Sequence, residues 1–216
     1  MKRSVTKAFG LAAAASTVVA VTPTPAFAHS PTVSVRKYFT NQMYVTMGAG
    51  DFGGPNIRVW NNAANPSVVY LDSNVPITNA YPEPGNIAYQ CSLGASGVAA
   101  RPYRATCTGI SENQAFVFGS GGADNITTAM PGHVAQVYGE GGADTLTGSN
   151  LGRDVLRGGG GADTINIAHA NDAHNDTAYC GGADGGVQDT VRYNGSDGLE
   201  GCNAADNKIY GDYSGK

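Results

Sequence analysis

Short runs of alternating apolar and polar residues recur along the chain from residue 32 onward. Val33 and Val35 alternate with polar neighbours, as do Met43, Val45 and Met47. Such runs, rich in β-branched and aromatic residues and interrupted by Gly, Pro and Asn, are typical of short strands with one buried face. Helical periodicity never extends over more than a few turns. Residues 29–118 are therefore predicted to form a β-rich section that caps or extends the rest of the chain.

From residue 119 the pattern becomes a repeat. Four segments align on an aspartate, and their sequences are GSGGADNIT (119–127), GEGGADTLT (139–147), SNLGRDVLR (149–157) and GGGGADTIN (158–166). Two positions after each aspartate stands a large apolar residue, namely Ile126, Leu146, Leu156 or Ile165. A flexible Gly/Asp linker would have no reason to keep this register, so we expect a folded repeat. A degenerate unit at 131–138 has Ala135 at the aspartate position.

The unit length predicts a coil. A unit of about nine residues, with a glycine turn and one inward apolar residue, supplies half a turn of a β-solenoid. The glycines are expected to adopt backbone conformations that a side chain would forbid. Aspartates one full turn apart then stack near the strand spacing of about 4.8 Å. Asp144 and Asp163 are 19 residues apart, and Asp124 and Asp144 are 20 apart.

Stacked carboxylates repel one another unless a cation lies between them. Ca²⁺ accepts six to eight oxygen ligands in flexible geometry, whereas Mg²⁺ requires a stricter octahedron with shorter bonds. Zinc prefers His or Cys, which these repeats lack. His169 and His174 offer an alternative zinc or copper site, but no third strong ligand accompanies them. The repeat itself therefore predicts calcium.

These segments resemble the haemolysin-type (repeats-in-toxin) calcium-binding repeat, G-G-x-G-x-D-x-U-x with U large and apolar. The segment at 158–166 fits every position, whereas the one at 149–157 keeps only Gly152, Asp154 and Leu156. The resemblance implies an all-β fold, a short right-handed parallel β-roll over residues 119–216 with the β-rich section before it. It implies calcium ligands at Asp124, Asp144, Asp154, Asp163, Gly119, Gly121, Gly139, Gly141, Gly158 and Gly160, with Asp176 and Asp189 as further candidates in the looser repeats of the tail. Because Ala135 replaces an aspartate, Asp154 needs a later acid, such as Asp172 or Asp176, to complete a site.

Charge is distributed unevenly along the chain. Residues 29–118 carry five basic and four acidic side chains, whereas residues 119–216 carry five basic and 13 acidic side chains and 22 of the 31 glycines. A surface of this sign disfavours a nucleic-acid partner and favours a hard cation. Calcium is thus the predicted partner, and we expect a monomer; a cell-surface or matrix partner is left open.

The four cysteines are predicted to form disulfides. Cys91, Cys107, Cys180 and Cys202 are even in number and lack the C-x-x-C spacing of a metal site. Three pairings are open, of which the sequence-local one, Cys91–Cys107 with Cys180–Cys202, closes the shortest loops.

The first 28 residues have the layout of a secretory signal. Lys2, Arg3 and Lys7 precede an apolar run, and Ala26 and Ala28 fit the small residues before a cleavage point. The run is shorter than the roughly 20 residues of a membrane span, so we expect cleavage, export and no membrane span.

Catalytic motifs such as G-x-S-x-G, H-E-x-x-H and a phosphate loop are missing from the sequence. The prediction is therefore a secreted, non-catalytic calcium-binding protein that folds when it meets calcium. A surface or matrix adhesion protein with purely structural calcium, and a small secreted hydrolase, are the alternatives.

Overall fold

The computed structural model describes residues 32–38, 42–48, 54–79, 91–110, 114–169, 174–181 and 187–211. All regular structure in these residues is β. The strands are β1 (Thr32–Tyr38), β2 (Gln42–Gly48), β3 (Asn56–Asn62), β4 (Asn65–Ser73), β5 (Ile77–Asn79), β6 (Ser92–Val98), β7 (Arg101–Thr108), β8 (Gln114–Ser120), β9 (Asn125–Ala129), β10 (Val134–Gly141), β11 (Thr145–Thr147), β12 (Arg153–Gly160), β13 (Thr164–Asn166), β14 (Thr177–Tyr179), β15 (Thr190–Tyr193), β16 (Gly198–Glu200) and β17 (Asn207–Tyr210). The predicted all-β class is confirmed. The predicted signal at 1–28 lies outside the described residues.

The strands form two sheets. One has eight strands in the order β16-β14-β12-β10-β8-β2-β1-β5, and the other has nine in the order β17-β15-β13-β11-β9-β3-β4-β7-β6. From β8 to β17 successive strands alternate between the sheets, and every pairing among them is parallel. We call one strand of each sheet, with its connecting turns, a coil.

The sheets are nevertheless mixed rather than wholly parallel. β1 pairs antiparallel with β2, and β4 pairs antiparallel with both β3 and β7. These antiparallel strands come from the β-rich section predicted over 29–118. The same section also supplies a parallel coil, because β2 pairs with β8 and β3 pairs with β9.

The core lies between the sheets and is built from the inward positions of each strand. One row, formed by residues from the eight-stranded sheet, comprises Val45, Val117, Val137, Leu156 and Ala178. The facing row comprises Ile57, Ile126, Leu146, Ile165 and Val191. All ten are fully buried. Burial of a Leu or Ile side chain stabilises the fold by about 1.5–3 kcal/mol, so the register of the repeat is fixed by this core.

The four apolar residues that follow the repeat aspartates therefore point inward, as predicted: Ile126, Leu146, Leu156 and Ile165 are each 0% exposed. Two disulfides join Cys91 to Cys107 and Cys180 to Cys202, which confirms the sequence-local pairing. Disulfides of this kind are consistent with an oxidising compartment. In the described residues, no helix long and apolar enough to cross a membrane is found.

Candidate metal centre

Aspartates form a column along one edge of the coils. Five of them immediately precede strands of the nine-stranded sheet, and they are Asp124, Asp144, Asp163, Asp189 and Asp206. Parallel pairing places them one above another, since Asn125 pairs with Thr145 and Thr145 with Thr164. We call this set the first column.

Each carboxylate in the first column after that of Asp124 accepts a hydrogen bond from the coil before it. The main-chain N–H of Asp124 donates to Oδ1 of Asp144 at 2.8 Å, and that of Asp144 donates to Oδ1 of Asp163 at 2.9 Å. The N–H of Asp163 donates to Asp189 at 2.9 Å, and that of Asp189 donates to Asp206 at 3.2 Å. The predicted stacking of Asp124 on Asp144 and of Asp144 on Asp163 is therefore present, and the less certain Asp189 belongs to the same column.

A second column lies on the opposite edge, where the chain passes from the nine-stranded sheet back to the eight-stranded one. The N–H of Asp154 donates to Oδ1 of Asp176 at 2.7 Å. Asp154 Oδ2 accepts hydrogen bonds from the N–H of Ser149 at 2.6 Å and from Oγ1 of Thr128 at 2.9 Å. Ala135 pairs with Asp154 one coil earlier and supplies no carboxylate. Of the two acids considered as partners for Asp154, Asp176 is the one placed beside it, whereas Asp172 lies outside the described residues.

Burial separates these aspartates from ordinary surface acids. Asp124, Asp144 and Asp154 are 2%, 1% and 0% exposed. Oδ2 of Asp144, Oδ1 of Asp154 and both oxygens of Asp124 accept no hydrogen bond of normal geometry in the described part of the chain. Leaving a buried polar atom without a partner costs about 1–3 kcal/mol, and more when it is charged. The columns therefore hold carboxylate oxygens that the protein itself does not satisfy.

Electrostatics lead to the same conclusion. Burial raises the pKa of Asp144 to about 7, against the hydrogen bond from Asp124, and the charges of Asp163 and Asp124 raise it further. Burial also raises the pKa of Asp124 to about 6, with a smaller contribution from the charge of Glu140. The pKa of Asp154 rises to about 6, again through burial, although hydrogen bonds from Ser149 and Thr128 lower it. Near neutral pH the columns favour either a proton or a cation.

Main-chain oxygens converge on the same places. A Cβ atom added at Gly139 would overlap both Oδ2 of Asp144 and the carbonyl oxygen of Gly158, and one added at Gly158 would overlap Oδ2 of Asp163. Gly119 is similarly enclosed by the Gly139 carbonyl and the Asp124 carboxylate. These three predicted glycines are required because neighbouring oxygen atoms lie too close to leave room for a Cβ atom. Their φ values lie outside the left-handed region, so backbone conformation is not the reason.

The other predicted glycines lie at the rim of the turns. Gly121 has open space where a side chain would be, and a Cβ atom added at Gly141 would make only an ordinary contact with Cα of Gly121, at 4.0 Å. The carbonyl of Gly160 accepts a hydrogen bond from the N–H of Gly142 at 2.7 Å. Left-handed φ values occur instead at neighbouring glycines, among them Gly159 at 107°. The sequence therefore indicated the glycine-rich turn but not which glycine has which function.

Glu140 occupies a position where the repeat pattern has glycine. It pairs with Gly159 in the parallel register and has a φ of 71°, the one positive value at a non-glycine residue in the described chain. A left-handed conformation costs a residue with a Cβ roughly 1–2 kcal/mol. The turn therefore retains its shape in this coil despite the substitution.

The donor set fits a hard divalent cation. Carboxylate and carbonyl oxygens are the ligands that Ca²⁺ takes. The ion pair found in the described residues joins Arg104 to Asp72, and no cationic side chain pairs with Asp124, Asp144 or Asp154 there. A separate grouping of Cys180, Cys202 and Asp206 has the proximity of a metal site, but its two sulfurs are bonded to each other. His169 and His174 belong to no such group in the described residues.

Sequence reasoning missed Asp197 and Asp206. Asp206 ends the first column, and Asp197 precedes β16 at the position where Asp176 precedes β14. Each keeps only one glycine of the repeat pattern, Gly195 before Asp197 and Gly201 before Asp206. For Asp197 a signal remained, because Leu199 follows two positions later and packs against the core, as Val191 does after Asp189. Asp206 has Lys208 at that position and offered no such signal.

Comparison with known proteins returned no match to a protein-family model, to a curated protein sequence or to a solved structure.

Proposed function

We propose that this chain is a secreted, non-catalytic calcium-binding protein in which Ca²⁺ ions lie between stacked aspartate turns and are coupled to folding. In this proposal the coils from β8 onward are a right-handed parallel β-roll of the haemolysin-type repeat. The observation that carries it is a set of buried carboxylate oxygens in the two columns, at Asp124, Asp144 and Asp154, that accept no hydrogen bond of normal geometry in the described part of the chain.

Calcium accounts for these oxygens better than protonation does. A proton would neutralise one carboxylate at a time and add one donor, whereas a divalent ion bridges carboxylates of adjacent coils and the turn carbonyls together. The ligands on the first column would be Asp124, Asp144, Asp163 and Asp189. Gly119, Gly139 and Gly158, which have no side chain, would leave room for the ion beside them. On the second column they would be Asp154 and Asp176.

Coupling to folding follows from the same groups. Without an ion, the first column brings like charges together in a buried edge, and the glycine-rich turns lose much backbone freedom on folding. An ion that binds only the folded form stabilises it by mass action. We therefore expect the repeats to be largely disordered in calcium-free buffer and to become β on calcium addition.

Calcium titration of residues 29–216, followed by circular dichroism and calorimetry, tests the proposal. The expected result is a calcium-dependent gain of β signal with heat of binding, and a much weaker response to Mg²⁺ at the same concentration. An identical β signal in calcium and in excess chelator, together with no heat of binding, would reject it. A calcium response equalled by Mg²⁺ would reject the ion assignment.

A surface or matrix adhesion role with structural calcium remains the second candidate. It is favoured by one observation, the packing of Arg58 and Arg104 around the stacked rings of Trp60 and Tyr70. These residues lie on β3, β4 and β7, at the opposite end of the nine-stranded sheet from the last coils.

A further inference from the structure

The outer face of the nine-stranded sheet has a basic cluster near its N-terminal strands. Arg58 on β3, Asp72 on β4 and Arg104 on β7 are direct cross-strand neighbours in one row. Trp60 and Tyr70 pair in the next row. Arg101 begins β7, and its side chain reaches Asn56 at the start of β3. Together with Arg101, the residues of these two rows are called the arginine face.

Its parts are held in fixed positions. Arg104 donates to both oxygens of Asp72, from Nε at 2.6 Å and from Nη2 at 2.9 Å, and Nε1 of Trp60 donates to Oδ2 at 2.9 Å. The hydrogen bond to Asp72 is the main cause of a raised pKa at Arg104, so that guanidinium stays charged. The Trp60 and Tyr70 rings stack with centroids 4.3 Å apart. A rigid, preorganised surface of this kind loses little freedom when it binds a ligand.

Asp72 neutralises one guanidinium of the three. The Arg58 guanidinium lies 5.5 Å from the centroid of the Trp60 ring, and Nη1 of Arg101 donates to Oδ1 of Asn56 at 3.0 Å. Neither arginine faces a carboxylate in the described chain, where the ion pair found is Arg104–Asp72. Among the described residues, the positive charges of Arg58 and Arg101 thus have no carboxylate partner.

The wider charge distribution favours this end of the molecule for an anion. Residues 29–118 carry five basic and four acidic side chains, whereas residues 119–216 carry five basic and 13 acidic ones. The arginine face therefore lies in a nearly neutral section, and an anionic ligand is repelled mainly by the acidic later coils.

We propose that the arginine face binds an anionic polysaccharide, whose carboxylate or sulfate groups contact the guanidiniums of Arg58 and Arg101. The Arg101 guanidinium donates to Asn56, which lies two residues before Arg58 on β3, a distance of roughly 7 Å along a strand. A linear polymer with repeated anionic groups spans such a distance, and guanidinium groups form paired hydrogen bonds with carboxylates. Nucleic acid fits less well, because single strands bind by stacking bases on open rings. Here Trp60 is packed against Tyr70 and flanked by the guanidiniums of Arg58 and Arg104.

The test uses calcium-saturated protein of residues 29–216 and immobilised heparin and polygalacturonate as probes. We expect binding at low salt that weakens as salt increases. The double variant Arg58→Gln/Arg101→Gln should weaken it about three- to tenfold, a usual range for two exposed charges. Arg192→Gln is the matched control, because Arg192 is an exposed arginine on β15 of the same sheet, near its opposite end. It should change binding less than twofold.

Three results would overturn the proposal: no binding to either polymer at low salt, equal weakening by the double variant and by Arg192→Gln, or equal affinity for single-stranded DNA through the same arginines. Circular dichroism of each variant in calcium shows that the coils are intact. A failure here would leave the calcium proposal standing, because the arginine face contains none of its ligands. Arg58→Lys keeps the charge but not the paired N–H donors, so it should bind more tightly than Arg58→Gln and less tightly than the parent.

Discussion

The main-chain N–H of Asp144 donates to Oδ1 of Asp163, 2.9 Å away and one coil further along the chain. This contact makes the first column directional, because every carboxylate after that of Asp124 accepts a hydrogen bond from the coil before it. The other oxygen of Asp144, Oδ2, lies in its own turn beside Gly139 and accepts no hydrogen bond from the described residues. One carboxylate therefore has a structural oxygen and an oxygen available to a cation, and a substitution can separate the two.

Asp144→Asn should have opposite effects with and without calcium. The amide can still accept the N–H of Asp124, but it carries no charge. Without calcium, the variant should be as stable as the parent or more stable, since the buried charge is gone. With calcium, its affinity should fall by about tenfold or more through the loss of a charged ligand. The fraction of β structure in calcium-free buffer and calorimetric titration with calcium measure the two effects.

Glu200→Gln is the matched control, because Glu200 is an exposed acid on β16 outside both columns. It should leave the stability in calcium-free buffer and the calcium affinity almost unchanged. Equal calcium affinity in Asp144→Asn and in the parent would contradict the assignment of Asp144 as a ligand.

Acid should stabilise the calcium-free protein. The pKa of Asp144 is raised to about 7 and those of Asp124 and Asp154 to about 6 in the folded chain, whereas an unfolded aspartate titrates near 3.9. Between about pH 4 and 7 the folded form therefore binds more protons, so its free energy of unfolding should increase as pH falls through that range. The fraction of folded β structure in metal-free buffer at several pH values measures the effect.

Calcium should reverse this dependence, because bound ions hold the carboxylates in the charged form and acid displaces the ions. In saturating calcium, lowering the pH through the same range should reduce stability. A calcium-free protein that loses β structure between pH 7 and pH 5 would contradict the prediction for the columns.

Glu140→Gly should stabilise the fold by about 1 kcal/mol, the usual cost of a left-handed conformation in a residue with a Cβ. Glu140 has a φ of 71°. Its partner in the next coil, Gly159, is a glycine, the residue that such a conformation favours. The substitution also removes a charge that raises the pKa of Asp124. Glu140→Gln separates the two effects, since it removes the charge and keeps the Cβ. If both variants unfold at the same urea concentration, the backbone conformation at residue 140 contributes nothing measurable.

The sequence predicted the part of the fold in which local pattern and global structure agree. Asp144, Leu146, Asp163 and Ile165 follow one register, and the coils place them as expected. The coil formed by β2 and β3 was not predicted, because alternation at Met43 and Val45 specifies a strand and not its partner. Its parallel partners β8 and β9 follow a long insertion, and such non-local pairing leaves no signal in a single sequence.

The second disulfide should stabilise the last coils in particular. Cys180 follows β14 and Cys202 follows β16, so the bond joins two adjacent coils at the edge where Asp189 and Asp206 stack. Its 22-residue separation corresponds to a loss of roughly 3 kcal/mol on removal. In Cys180→Ser/Cys202→Ser, amide hydrogens of β15 and β17 should exchange faster while those of β8 and β10 change little, because stability in stacked coils is set by nearest neighbours.

Cys91→Ser/Cys107→Ser is the control, since that bond lies at the other end of the molecule and should leave β15 and β17 protected. Hydrogen exchange in saturating calcium, read by mass spectrometry, distinguishes the two variants. Uniform loss of protection along all coils in the first variant would mean that the coils unfold as a single unit and that the bond does not act locally.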